Sequence, residues 1–218
     1  MDDRRAVVFD MDGVLVLSGP AHWIAWRDAA RRHGIDLSHD RFTSLHGLTN
    51  ADICARLWGA RATPEFVALV ADQKERAFRR AIEADVPLAP GCAALLASLQ
   101  ARHVGIGLGS SAPPENVDLV LDRGGIRDFF GAIVSAEMVR RGKPAPDIFQ
   151  LAAELLGVPP AQCVVVEDAP SGVQAAVAAG MDVVGVATTH TARALLGEGA
   201  RMVATGLEAL RLADLIRP

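Results

Sequence analysis

The sequence predicts an α/β fold in which a parallel sheet carries a helical module inserted after its first strand. The apolar run from Ala6 to Phe9 is unbroken, which is typical of a strand buried on both faces. Residues 20–85 show helical patterns without a convincing strand. From Pro87 onward, helical and strand patterns alternate, as they do in parallel α/β sheets.

Length and composition fit one large domain and one small domain. The chain has 218 residues, of which 50% are hydrophobic, so it can bury a sizeable core. The net charge of −4 does not indicate a nucleic-acid partner. No apolar run approaches the roughly 20 residues that span a bilayer, and the N-terminal residues lead into the first strand without a signal peptide. We therefore expect a cytoplasmic protein with no membrane or nucleic-acid partner.

The inserted module is expected to contain four helices and no strand. Thr63 followed by Pro64 is a strong start signal, because threonine caps a helix and proline is tolerated in its first turn. We place the module at residues 17–86 and form the α/β domain from residues 1–16 and 87–218. The helices with clear boundaries cover 20–33, 50–58 and 64–83.

The α/β domain is predicted to alternate helices and strands to its end. The strands after the first are Val104–Leu108, Ala132–Ser135, Cys163–Glu167, Asp182–Val186 and Met202–Ala204. The helices are Cys92–Arg102, Glu115–Arg123, Asp147–Leu156, Ser171–Ala179, Ala192–Leu196 and Leu207–Ile216. Ligands bind beyond the carboxyl ends of the strands in such sheets, so polar residues that follow the strands mark the expected site.

Four strand ends are followed by polar or charged side chains. They are Asp10 with Asp12, Ser110 with Ser111, Lys143, and Glu167 with Asp168. Each pattern alone is also typical of a turn, a helix cap or a solvated loop, although two acids that end a buried strand need a partner for their charge.

Together the four strand ends predict phosphoryl transfer. Acids from two strand ends, Asp10 and Asp168, can hold Mg²⁺, which prefers oxygen ligands. A lysine and a serine hydroxyl can hold a phosphoryl group. One aspartate can attack phosphorus, and a second acid two residues away can protonate the leaving oxygen.

These motifs resemble those of the haloacid dehalogenase superfamily, in the branch that contains β-phosphoglucomutase and small sugar-phosphate phosphatases. The matching segments cover residues 10–15, 109–111, 142–149 and 166–172, and the resemblance extends over nearly the whole chain. It implies a Rossmann-like doubly wound parallel sheet with an inserted α-helical cap that closes over the substrate. It also implies Mg²⁺ as cofactor, a small phosphorylated metabolite as substrate, and a monomer or weak dimer.

The resemblance assigns roles to the residues at the strand ends. Asp10 is implied as the nucleophile, and Asp12 as the acid/base whose backbone carbonyl also contacts the metal. The implied catalytic residues are Asp10, Asp12, Ser110 and Lys143. The implied metal ligands are Asp10, Asp12, Glu167 and Asp168, with Glu167 as a direct ligand or as support. Aspartate at position 12, which dehalogenases and phosphonate hydrolases lack, favours phosphate esters.

In the cap the resemblance is partial. The implied substrate-binding residues are His22, Trp26, His46, Asn50 and Lys74 of the cap, and Ser111 of the α/β domain. The cap lysine and arginine that β-phosphoglucomutase uses on its sugar phosphate align with His46 and Asn50. An amide cannot replace the bidentate clamp that arginine offers a second phosphate. This favours a phosphatase, with a β-phosphoglucomutase-type mutase as the alternative.

Two other classes share single features with this chain. A phosphorylated signalling receiver also uses acids, a hydroxyl and a lysine at strand ends, but its acidic pair precedes the phosphorylated aspartate, whereas Glu167 and Asp168 come last here. A dinucleotide-binding oxidoreductase is suggested by the glycines at 105, 107 and 109. These glycines alternate along a strand instead of forming the G-x-G-x-x-G turn that opens a helix.

Overall fold

The computed structural model describes residues 5–45 and 48–216. The chain divides into two compact units. One, the α/β unit, contains the described residues up to Leu17 and those from Val86 onward; the other, the cap unit, is Ser18–Asp85. The predicted boundaries at 17 and 86 differ from these by one residue.

The α/β unit is built on a six-stranded parallel sheet. Its strands are β1 (Ala6–Phe9), β2 (Gly105–Gly109), β3 (Ala132–Val134), β4 (Cys163–Glu167), β5 (Asp182–Val186) and β6 (Met202–Ala204). They lie in the order β3-β2-β1-β4-β5-β6, so the first strand of the chain is in the middle and the strand order reverses between β1 and β4. This confirms the predicted doubly wound sheet, in which ligands bind at the point of reversal.

The described residues of the cap unit form helices joined by turns and short connections, without a strand. Its helices are α1 (Gly19–Arg32), α2 (His39–Thr43), α3 (Asn50–Trp58) and α4 (Pro64–Ile82). Ser38, Thr49 and Thr63 each accept a backbone N–H at the start of the last three. The helices form an apolar core of their own, which includes Trp26, Leu37, Phe42, Ile53, Trp58 and Val70. The three helices with predicted bounds agree within one residue, and α2 is the fourth.

Six further helices cover the sheet. They are α5 (Cys92–Gln100), α6 (Pro114–Arg123), α7 (Asp147–Leu156), α8 (Pro170–Ala178), α9 (Ala192–Gly197) and α10 (Leu212–Leu215). Helix α7 packs on β1, β2 and β3, whereas α8 packs on β4 and β5. Over residues 5–45 and 48–216, every helix is too short or too polar to cross a membrane.

The predicted helix Leu207–Ile216 is wrong. A short turn at Leu207–Ala209 is followed by extended backbone at Leu210 and Arg211, and α10 starts only after it. The backbone N–H of Arg211 donates to Asp214 Oδ2 over 2.8 Å, and the two side chains form an ion pair. This local capping interaction begins a new helix in the middle of an apolar pattern that had suggested one continuous helix.

Candidate active site

The predicted residues emerge at one edge of the sheet, beside the carboxyl end of β1. The N–H of Asp10 donates to the carbonyl of Val166 over 3.0 Å, so Asp10 lies next to Glu167 at the end of β4. On the other side, Ser110 directly follows β2, and its N–H donates to the carbonyl of Val134 over 2.9 Å. Because the strands are parallel, these side chains meet at the same edge.

Lys143 joins the two acidic strand ends. Its Nζ lies 2.5 Å from Asp10 Oδ1 and 2.7 Å from Glu167 Oε1, and only 5% of its side chain is exposed. The other oxygen of Glu167 accepts the backbone N–H groups of Asp168 and Ala169, each over 2.7 Å. Both oxygens of Glu167 are therefore occupied by the lysine and the backbone, and Lys143 is held in place instead of being solvated.

Burial and charge shift the pKa values of the three central groups. Burial raises the pKa of Asp10 to about 7, although the positive charge of Lys143 acts in the opposite direction. Burial also raises the pKa of Asp168, and the negative charges of Glu167 and Asp10 add to the rise. Burial lowers the pKa of Lys143, but its interactions with Asp10 and Glu167 outweigh this effect and leave the pKa raised. The acids outnumber the lysine, so an added cation would favour their ionised forms.

Asp12 and the two serines lie around this centre. Asp12 is half-buried, and its negative charge contributes to the raised pKa of Asp10. Ser110 is 1% exposed, and its hydroxyl accepts the N–H of Ala112 over 3.1 Å. Ser111 is exposed. The structure thus brings Asp10, Lys143 and Glu167 into direct contact and leaves Ser111 at the surface.

Asp168 offers an oxygen suited to a metal ion. The residue is 2% exposed, and its Oδ2 has no hydrogen-bond partner among the described residues. A Cβ on Gly13, whose φ is +83°, would lie 1.9 Å from this oxygen, so only glycine leaves room for it. A buried carboxylate oxygen without a donor is costly, and a cation would satisfy it.

This donor set fits Mg²⁺. In residues 5–45 and 48–216, no three His, Cys, Asp or Glu side chains are grouped so that they could hold a metal ion by themselves. Mg²⁺ needs no such cage, because it is commonly bound by one or two carboxylates together with water and substrate phosphate. Asp168 and Asp10, whose negative charge contributes to the raised pKa of Asp168, supply two carboxylates of this kind.

A loop after β5, which was not identified from the sequence, holds the backbone of both acidic loops. The hydroxyl of Thr188 donates to the carbonyl of Gly13, and Nδ1 of His190 lies 3.1 Å from the carbonyl oxygen of Asp168. The same signal, polar residues directly after a buried strand, marks this loop in the sequence. Thr188 and His190 are thus positioning residues for Gly13 and Asp168.

Helix α8 packs tightly against Glu167. Gly172 is buried in the first turn of this helix, where a Cβ would lie 1.7 Å from Glu167 Oε1 and 2.0 Å from its Cδ. Glu167 is 1% exposed and bonded through both oxygens, so it has no alternative position nearby.

We expect Gly172→Ala to displace Glu167 and break its ion pair with Lys143. Breaking a buried pair costs about 3 kcal/mol or more, which lowers the Tm of a chain of this size by about 6–12 °C. The measurement is thermal unfolding by circular dichroism. Gly197→Ala is the matched control, since Gly197 is an exposed helical glycine with nothing within 4 Å of the added Cβ. Equal Tm values for the two variants would contradict this account.

In the cap unit, two predicted substrate-binding residues meet on one carboxylate. Asn50 Nδ2 donates to Glu75 Oε1 over 2.8 Å, and Lys74 Nζ donates to the same oxygen over 2.9 Å. Glu75 was not identified from the sequence. His46 lies outside the described residues.

The other two predicted cap residues belong to an aromatic group beside Lys74. The ammonium of Lys74 lies 5.7 Å from the ring centroid of Trp26 and 5.4 Å from that of Phe78. The ring of His22 stacks on Phe78 with centroids 4.0 Å apart. Trp26 is 2% exposed and is part of the apolar core of the cap unit.

Comparison with known proteins finds relatives of two activities. The family model for haloacid dehalogenase-like hydrolases matches residues 4–180. The β-phosphoglucomutase of Bacillus subtilis (strain 168) is 34% identical over 218 residues, which cover 97% of this chain and 91% of that protein. The fructose-1-phosphate phosphatase YqaB of Escherichia coli (strain K12) is 34% identical over 187 residues, which cover 85% of this chain and 98% of that protein.

The solved structures agree with the fold. The crystal structure of a HAD hydrolase, family IA, variant 3, from Entamoeba histolytica has a TM-score of 0.88 at 28% identity and covers 96% of each chain. A mutase and a phosphatase match at the same identity, so the choice between these activities depends on particular residues.

Proposed function

The chain belongs to the haloacid dehalogenase-like hydrolases, and on that premise we propose that it is a Mg²⁺-dependent phosphatase of a small phosphorylated metabolite, in particular a sugar phosphate. The observation that carries the proposal is the buried ammonium of Lys143, which contacts the proposed nucleophile Asp10 and is held by Glu167. The relatives named above include a phosphatase and a mutase of sugar phosphates, which supports this substrate class.

The proposed first step is transfer of the phosphoryl group to Asp10. A carboxylate oxygen of Asp10 attacks phosphorus, and the bond from phosphorus to the ester oxygen breaks. Asp12 gives its proton to the departing oxygen, which leaves as an alcohol. The position of Asp12, two residues after the proposed nucleophile, supports this role.

The second step regenerates the enzyme. Asp12, now ionised, takes a proton from a water molecule that attacks phosphorus. The bond between phosphorus and Asp10 breaks, and inorganic phosphate leaves. Asp12 is again protonated and Asp10 is again a carboxylate, so the cycle closes without any further reactant.

In this proposal Lys143 and Ser110 hold the phosphoryl group, and Lys143 together with a metal ion held by the acids would balance its charge. The Lys143 ammonium and the Ser110 hydroxyl hydrogen-bond its oxygens, and because Glu167 already fixes Lys143, little reorganisation is needed. Asp10, Asp168 and the backbone carbonyl of Asp12 would hold Mg²⁺, which neutralises charge on the transferring group. Glu167, with both oxygens bonded, serves Lys143 in this proposal.

Two observations support the mutase alternative. The chain is 34% identical to β-phosphoglucomutase, and His22, Trp26 and Lys74 align with residues of that enzyme's cap. A mutase must hold its sugar by the phosphate that is not reacting, and a charge-assisted bond is about twice as strong as a neutral one. Position 50 offers an amide, and the Lys74 ammonium, which bonds the same carboxylate oxygen, is paired with Glu75. We therefore favour the phosphatase.

We expect the purified protein to release inorganic phosphate from sugar monophosphates in the presence of Mg²⁺ without a bisphosphate activator. The test follows β-glucose 1-phosphate with and without a trace of the 1,6-bisphosphate, and measures phosphate and glucose 6-phosphate. A screen of sugar phosphates, polyol phosphates and nucleotides then ranks the substrates. If glucose 6-phosphate forms faster than phosphate and its formation depends on the bisphosphate, the chain is a mutase.

A further inference from the structure

The cap unit contains a polar cluster formed by half-buried Asn50 and by buried Lys74 and Glu75. Lys74 is 4% exposed and Glu75 is 7% exposed. Asn50 and Lys74 both donate to the same oxygen of Glu75, over 2.8 and 2.9 Å. We call these three residues the cap cluster.

The ion pair within the cap cluster is not one that stabilises a helix. Lys74 and Glu75 are neighbours in α4, and residues at i and i+1 do not face each other on a helix, unlike those at i and i+4. Removing two charges from water is expensive, and a well-packed apolar pair at such sites is often at least as stable. The stability of α4 therefore does not explain the presence of both charges.

The charges of the cap cluster cancel. Lys74 contributes one positive charge, Glu75 one negative charge and Asn50 none, so the formal sum is zero. One oxygen of Glu75 accepts from both donors, so a negative charge lies within hydrogen-bond distance of each of them. A phosphate group would therefore be repelled by the carboxylate that holds its potential donors.

A hydroxyl group suits the same three side chains. It can donate to a carboxylate oxygen and accept from an ammonium or an amide, so it fits the cap cluster without changing its charge. The Lys74 ammonium is also held between the rings of Trp26 and Phe78, 5.7 and 5.4 Å away, which restricts its movement toward another anion.

We propose that Glu75 is a specificity-determining residue, which makes the cap cluster bind the uncharged hydroxyls of a monophosphorylated sugar or polyol and disfavour a second phosphate. This inference rests on the proposed phosphatase function, because it names the substrate class for that activity. It assigns a role to a residue that the sequence motifs do not single out.

The test compares Glu75→Gln with wild type on two substrates, a hexitol 6-phosphate and a hexose 1,6-bisphosphate. The change keeps the shape and the acceptor oxygen for Asn50 and Lys74 but leaves the ammonium unbalanced. We expect the ratio of kcat/KM for the bisphosphate over the monophosphate to rise by at least about 10-fold, mainly through KM. Glu83→Gln, the same change at the exposed end of α4, is the matched control and should leave the ratio as in wild type.

A second variant keeps the test decisive. If Glu75→Gln does not fold, Asn50→Arg reaches the same formal charge and should raise the same ratio. Equal ratios in wild type and in the folded variant would overturn the inference.

Failure of the proposed function has a different signature. In that case wild type releases no phosphate from the hexitol 6-phosphate, from the hexose 1,6-bisphosphate or from p-nitrophenyl phosphate. Calorimetry with the Asp10→Asn protein then decides the inference without turnover. Glu75→Gln in that background should tighten binding of the bisphosphate relative to the monophosphate by at least about 10-fold, and an unchanged relative affinity would overturn it.

Discussion

Replacing Asp10 with asparagine is expected to lower kcat for phosphate release by at least about 10⁴-fold, because it removes the attacking carboxylate oxygen and leaves the surrounding geometry in place. The measurement is phosphate release under saturating sugar phosphate and Mg²⁺. Asp128→Asn, the same change at an exposed turn residue, is the control and should retain wild-type activity. Wild-type-like turnover by Asp10→Asn would overturn the assignment of the nucleophile.

The same variant should be at least as stable as wild type without added metal. The pKa of Asp10 is raised from 3.8 to about 7, chiefly by burial, so ionisation of this acid costs the folded state stability as pH rises through that interval. Asparagine does not ionise. The difference in Tm, variant minus wild type, should therefore grow from pH 4 to about pH 7 and then level off. A Tm that falls below wild type at pH 7 would show that the carboxylate is needed for folding.

Removal of Mg²⁺ is the second change with a large expected effect. We expect excess chelator to lower phosphate release by at least about 10³-fold, since Lys143 alone then offsets the repulsion between the buried acids and the substrate phosphate. Ca²⁺ should inhibit, because its looser coordination does not fix the nucleophile in line with the leaving oxygen. Full activity in excess chelator would contradict the metal site.

Thermal unfolding tests the metal site without turnover. A ligand that binds only the folded state adds about 2.7 kcal/mol at 100 times its Kd, which corresponds to a rise in Tm of about 5–10 °C for this size. Asp168→Ala should remove most of this rise and increase the Mg²⁺ concentration needed for activity. If Asp168→Ala shows the same rise in Tm as wild type, the ion binds elsewhere.

The α/β unit was largely predictable because parallel strands bring distant residues to one edge. Asp10 and Lys143 are 133 positions apart, yet Asp10 directly follows β1 and Lys143 lies in the segment after β3, and both strands pair in parallel with β2. Helix α10 was not predictable from periodicity, because its start depends on the local contacts between Arg211 and Asp214.

The cap cluster was only partly predictable. Asn50 and Lys74 were identified by alignment with the cap of β-phosphoglucomutase, whereas Glu75 was not, since neighbouring residues of a helix are not expected to pair with each other. Its contact with Asn50 spans 25 positions and depends on how α3 and α4 pack, which no local pattern encodes. The loop with Thr188 and His190 carried the same signal as the motifs but lies outside all of them.

The central position of β1 determines when the sheet can be completed during synthesis on the ribosome. Ala6 pairs with Gly105 on one side and Cys163 on the other, so the first strand to be made waits for both neighbours. The cap unit ends at Asp85 and has its own core, so it can fold while β1 still has open edges. A nascent chain that stops before Cys163 leaves one edge of this apolar strand exposed, in the state that pairs with other chains and leads to aggregation.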